Sequence, residues 1–275
     1  MGKPDLLVLD SVTRMDESHR GKVLVAASHG AVYAAYLAAL GRLRGVILND
    51  AGVGRDNAGI SGLPYLDDAG IAAATVSHLS ARIGDGQDML ARGRISHVNK
   101  LAARLGCKPG MTCGECAALL ARAAVPAKEP PPKLESRFRL RARPDEPEVW
   151  GIDSASLVTP DDKDKILIVG SHGQLLGNRP ETALKHDAIA AVYNDAGCGI
   201  DGAGTSRLPA LDARGIAGAT VSHDSARIGD ARSSWESGVV THVNKTASAM
   251  GGKPGMTAQD FADRVAAARR ESLQR

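Results

Sequence analysis

The chain has 275 residues, of which 43% are hydrophobic and 24% charged, with a formal net charge of +3 at pH 7. That length holds two domains, each with its own core. Aromatics make up only 3%, which excludes base-stacking nucleic-acid modules and leaves the core to Ala, Val, Leu and Ile.

In chain order, the opening "MGKPDLLVLDSVTRMDESHR" lacks the apolar core and cleavage site of a secretory signal. "KVLVAAS" reads as a buried strand and delivers Ser28, His29 and Gly30 at its end. "AVYAAYLAALGRL" has helical spacing, and "GVILND" is a second strand, ending in Asn49 and Asp50. A third strand contains "TVS" and leads into "SHLSARIGD". "RISHVNKLAARLG" reads as a helix, or a strand running into one, that stops at glycine. Its His97 and Lys100, three apart, would share a helix face. "CGEC" has redox-motif spacing, but an unduplicated C-x-x-C with no second pair is weak evidence for zinc or thiol chemistry.

Three consecutive prolines and mixed charges after Val125 suit a semi-rigid linker without helix. Beyond it the pattern starts again. "KILIVGS" leads to Ser171, His172 and Gly173, and "AAVYND" to Asn194 and Asp195. "NRPETALKHD" stands where the first half has its helix, with a proline suited to a first turn. From Asn49 to Lys100 and from Asn194 to Lys245, roughly 30 of about 50 positions are identical at an offset of 145, far beyond chance self-similarity. The expected fold class is therefore α/β, in two tandem homologous units. Each is a mostly parallel sheet with flanking helices, and the two pack with pseudo-twofold symmetry as a homodimer would. The units span 1–124 and 148–275, joined by a proline-rich linker over 125–147.

Polar clusters recur after strands, and ligands of open parallel sheets bind beyond the carboxyl ends of strands. The Arg82 and Arg227 guanidiniums are expected to hold a substrate carboxylate. The competing reading is an internal Arg–Asp pair that holds the loop. His78 and His223 are the expected proton-transfer groups, with Asp50 and Asp195, or Asp85 and Asp230, as orienting groups or bases. Ser80 and Ser225 are candidate oxyanion donors. Ser28, His29, Ser171, His172, Asn49 and Asn194 complete the substrate-binding set, although a helix cap or a simple turn would also explain them. Asp56 and Asp201 continue the "NDAG" loops. No cofactor is evident; three repeat-paired histidines and an aspartate per unit leave room for a divalent metal. No Walker loop, G-x-G-x-x-G or G-x-S-x-G is present.

The order strand–"SHG"–helix–strand–"NDAG"–helical turn–"GIAAATVSH" resembles the swivelling β/β/α domains of RraA-like aldolases and phosphohistidine domains. The resemblance concerns element order and assigns no residue. The expected protein is a bacterial, cytoplasmic enzyme acting by hydrolase or lyase chemistry on a small polar, carboxylate-bearing metabolite. The alternatives are a non-catalytic small-anion-binding or regulatory protein and a structural duplicated domain. Its partner would be a small-molecule ligand, with no nucleic acid and no membrane, and homo-oligomer formation is left open.

Overall fold

The structure, a computed structural model, describes residues 6–127 and 129–274. The leader expectation falls partly on residues 1–5, which lie outside that range. In the first half, strands β1 (Leu6–Leu9), β2 (Val23–His29), β3 (Gly45–Asn49), β4 (Ala72–Val76) and β5 (Ile95–Val98) form one sheet in that order. The first four are parallel and β5 is antiparallel to β4.

Alternate residues of a strand face opposite sides of the sheet, and β2 is apolar on both. Val23, Val25 and Ala27 belong to one core cluster, Leu24 and Ala26 to another. Such a strand must be covered on both faces. Helices α1 (Val32–Leu40) and α2 (Gly62–Asp68) cover the second cluster through Ala34, Ala35, Ala38, Leu63 and Leu66. The small alanine face suits close packing of α1, and alanine is the best helix former. Helices α3 (Gly86–Arg92), α4 (Lys100–Arg104) and α5 (Cys113–Leu120) cover the first. A capping box between Thr112 and Glu115 starts α5.

The second sheet has six strands: β6 (Arg137–Arg141), β7 (Val149–Ile152), β8 (Ile166–His172), β9 (Ala190–Asn194), β10 (Ala217–Val221) and β11 (Val240–Val243). Those from β7 to β10 run parallel, and both end strands are antiparallel to their neighbours. Its helices are α6 (Arg207–Asp212), α7 (Ala231–Ser237), α8 (Lys245–Ala249) and α9 (Ala258–Leu273). Among the described residues, no helix is long and apolar enough to cross a membrane.

Three local expectations change. Residues 137–141, inside the expected linker, form an edge strand, anchored where Arg137 pairs with the buried Asp162. The "NRPETALKHD" segment holds only one short 3-10 turn, Pro180–Thr182, and a second, Leu176–Asn178, leads into it. Gly177 and Asn178 take left-handed backbone angles that a helix cannot contain. His97 and Lys100 do not share a helix face: β5 ends at Val98, and Asn99 caps α4.

The carboxyl ends of the central strands in the two sheets face each other. Ala31, Ala51, Ala58 and Ile83 from the first half pack with Ala196 and Ile228 from the second in one small buried cluster. Three backbone hydrogen bonds cross between the halves: Ile200 N donates to His78 O, Arg55 N to His223 O and Gly177 N to Gly84 O, each at 2.8 Å.

Candidate functional site

Asp50 and Asp195 each stand at the end of a central strand, 3% exposed. Asp50 Oδ1 accepts from the His78 amide and from His78 Nδ1, both at 2.9 Å. In the second half, Asp195 Oδ1 accepts from the His223 amide at 2.9 Å and from its Nδ1 at 3.2 Å. Burial would raise both carboxyls, but the hydrogen bonds from the histidines outweigh it, and both lie below the ordinary value. The hydrogen bond to Asp195 raises the His223 imidazole against the effect of burial. With Nδ1–H donated to the carboxylate, Nε2 of a neutral ring is an acceptor.

Each ring reaches over a glycine of the opposite half. A Cβ on Gly197 would lie 2.9 Å from His78 Nε2, and one on Gly52 2.7 Å from His223 Cδ2. The loops carrying these glycines are left-handed throughout: Ala51, Gly52, Val53 and Gly54 in one half, Ala196, Gly197, Cys198 and Gly199 in the other. A left-handed non-glycine residue costs about 1–2 kcal/mol. Asn49 and Asn194, fully buried, help to hold the turns by accepting from Ala51 N and Ala196 N at 2.9 Å.

The "SARIGD" residues are occupied by the protein itself. Arg82 Nε and Nη2 contact Asp201 Oδ2 at 3.0 and 2.8 Å, and Arg92 Nη2 reaches the same oxygen at 2.7 Å. Arg227 pairs with Asp56 and Asp230, each at 3.0 Å. Ser80 Oγ donates to Ser77 O and accepts from Arg94 N; Ser225 Oγ does the same with Ser222 O and Val239 N. Asp85 and Asp230 cap α3 and α7.

The serine and histidine of both "SHG" segments, Ser28, His29, Ser171 and His172, line one cavity of about 320 Å³. Ser28 Oγ accepts from Val12 N at 3.0 Å and Ser171 Oγ from Ala155 N at 2.9 Å, which leaves each hydroxyl its own proton to donate. His29 Nδ1 accepts from Ala31 N at 3.4 Å and His172 Nδ1 from Gln174 N at 3.3 Å, so each ring carries its proton on Nε2. Burial lowers His29 to about 4. It also takes His172 well below its ordinary value, with the Arg207 charge adding to the effect. Both rings are neutral at pH 7.

Two charged residues outside the expected set, neither of them fully exposed, also line the cavity: Arg207 and Glu135. Arg207, on α6, is 3% exposed. Its Nε donates to His172 O at 3.2 Å, its Nη1 to the carbonyls of Thr182 and Ala183, and its guanidinium lies 4.8 Å from the Tyr193 ring centre. Among the described residues, no carboxylate pairs with it. At the offset of 145 its counterpart is Gly62, where a Cβ would stand 2.6 Å from that of Ala35 on α1. The second half has no helix at the α1 position, and the arginine occupies the space. Burial also raises the carboxyl of Glu135 to about 7, against hydrogen bonds from Ser154 and Tyr33. The sequence signal for Arg207 was a mismatch within the repeat; Glu135, in the linker segment, had none.

His97 and Lys100 line a separate depression in the first half, and the buried His97 Nδ1 has no hydrogen-bond partner among the described residues. Among the described residues, no three His, Cys, Asp or Glu side chains converge to hold a metal ion. Comparisons with protein-family models, curated proteins and solved structures find no match.

Proposed function

We propose that the chain binds a small carboxylate- or phosphate-bearing metabolite in the cavity between its halves. One observation carries this reading: Arg207 is a buried cation without an anionic partner, in a wall that also presents Ser28, Ser171, His29 and His172 as donors. An uncompensated buried charge is costly, and a ligand anion would supply the missing charge. Phosphate and carboxylate both suit a guanidinium fork.

The two halves are read as tandem copies of one α/β unit, packed about an approximate twofold axis near Gly52 and Gly197. The His–Asp pairs and the "SARIGD" arginines brace that packing: each Nδ1 bonds to its aspartate, and each guanidinium pairs with a carboxylate of the opposite half. Turnover by hydrolase or lyase chemistry is the second reading. It is favoured by Glu135, a cavity carboxyl able to exchange a proton near neutral pH.

The test is a thermal-shift titration of phosphate and malonate into the wild-type chain and an Arg207→Met variant. A ligand at about 100 times its Kd adds about 2.7 kcal/mol of stability. Stabilisation of the wild type alone supports the reading. Equal stabilisation of both chains, or none of the wild type, counts against it.

A further inference from the structure

The cavity contains a second charged group that lacks a partner of opposite sign. Glu135 lines the same cavity as Arg207, and the two form no ion pair with each other. Tyr33 and Ser154, which carry hydroxyls, line the cavity with it, and the nearby carboxylate of Asp153 adds negative potential. Both Asp153 oxygens are already used, accepting from Ser136 N and Ala231 N. Among the described residues, no lysine or arginine pairs with Glu135. One part of the wall thus offers a guanidinium with neutral donors, and another a carboxyl with hydroxyls and no cation.

A simple anion would satisfy only the first part. We infer that the cavity is built for a dipolar ligand of the amino-acid class, its carboxylate on Arg207 and its ammonium on Glu135. This rests on the reading of the cavity as an anion site and adds to it a demand for a cationic group. The hydroxyls of Tyr33 and Ser154 supply further polar contacts beside an ammonium. A volume of about 320 Å³ falls at the small end of ligand pockets, which suits a free amino acid or ω-amino acid better than a peptide. Lys185 and Glu181, exposed at the rim, add one charge of each sign.

The experiment is calorimetric titration at pH 7.5 with two matched series. One runs from glycine through β-alanine and 4-aminobutyrate to 5-aminopentanoate; the other runs from acetate through propionate and butyrate to pentanoate. In the wild type, at one chain length at least, the amino acid is expected to bind tenfold or more tightly than its matching carboxylate. In Glu135→Gln, a near-isosteric change on a partly exposed segment, the two should differ by less than threefold, with carboxylate binding retained. If carboxylates bind but no amino acid exceeds its match tenfold, or if the preference survives Glu135→Gln, the inference is overturned while the anion site stands. If neither series binds to the wild type, the anion site fails and the inference fails with it.

Discussion

Gly52 lies directly beneath the ring of His223: a Cβ there would stand 2.7 Å from Cδ2, at a residue whose φ is +78°. A side chain at this position would both strain the backbone and push the ring off Asp195. Gly52→Ala is therefore expected to destabilise the chain by about 2–4 kcal/mol, combining left-handed strain with overpacking. Gly110→Ala is the control: its φ is +89° but nothing lies within 4 Å, so only about 1–2 kcal/mol should be lost. Urea denaturation midpoints of the two variants measure the difference. Equal losses would show that the contact with His223 contributes nothing.

The His223–Asp195 pair has a defined pH window. His223 is raised above 6.5, so its contribution is complete below that value and is lost as pH rises through the raised one. Asp195 is lowered below 3.8, so its contribution is complete above that value and is lost as pH falls through the lowered one. The pair is expected to stabilise most between about pH 4 and 6.5. His223→Gln should flatten the decline in Tm on the alkaline side of that window. A variant with the wild-type alkaline slope would argue against this assignment.

Glu135 works in the opposite sense to a salt-bridged acid. Its carboxyl is raised from 4.5 to about 7, so the folded state keeps a proton that the unfolded chain has released. Stability from this group is complete below pH 4.5, falls as pH rises to about 7, and is level above. Glu135→Gln is expected to remove that fall and to melt higher than wild type at pH 8. A lower melting temperature at pH 8 would mean that the carboxylate is stabilised by contacts other than those described.

The arginine clasps should contribute little. Asp201 and Asp56 side chains are 44% and 61% exposed, and solvent screens exposed ion pairs strongly. Asp201→Asn and Asp56→Asn should each leave Tm almost unchanged, and any loss should shrink in high salt. A larger, salt-insensitive loss in either variant would assign the clasps a role beyond charge pairing.

Thiol labelling should separate the four cysteines. Cys113 is fully buried and pushed up to about 12 by burial, and Cys107 and Cys116 are buried beside it. Cys198 is half-buried. The native chain is expected to react at Cys198 first, and the other three only on unfolding.

The sheet cores were legible because apolar runs such as "KVLVAAS" are buried on both faces, a pattern that belongs to parallel strands. The paired polar clusters were legible because the chain repeats them. The 3-10 turns around Gly177 were not, since a proline and a run of helix formers mask two left-handed residues. The local pair of Arg227 with Asp230 was legible as the internal Arg–Asp alternative, but the long-range bracing of Arg82 and Arg227 was not. The partners in the opposite half, Asp201 and Asp56, lie 119 and 171 positions away in the chain, and local spacing has no access to such a distance. Arg207 stood out only as a residue without a repeat partner. A search guided by what the halves share passes over it.

A cavity between two separate identical chains would receive every residue twice, so any ligand could bind in either of two equivalent orientations. Here one covalent chain supplies both walls. One wall can carry an arginine where the other keeps a glycine under a helix, and a single glutamate can enter from the connecting segment. Joining the halves end to end gives the cavity polarity: its two walls are not interchangeable.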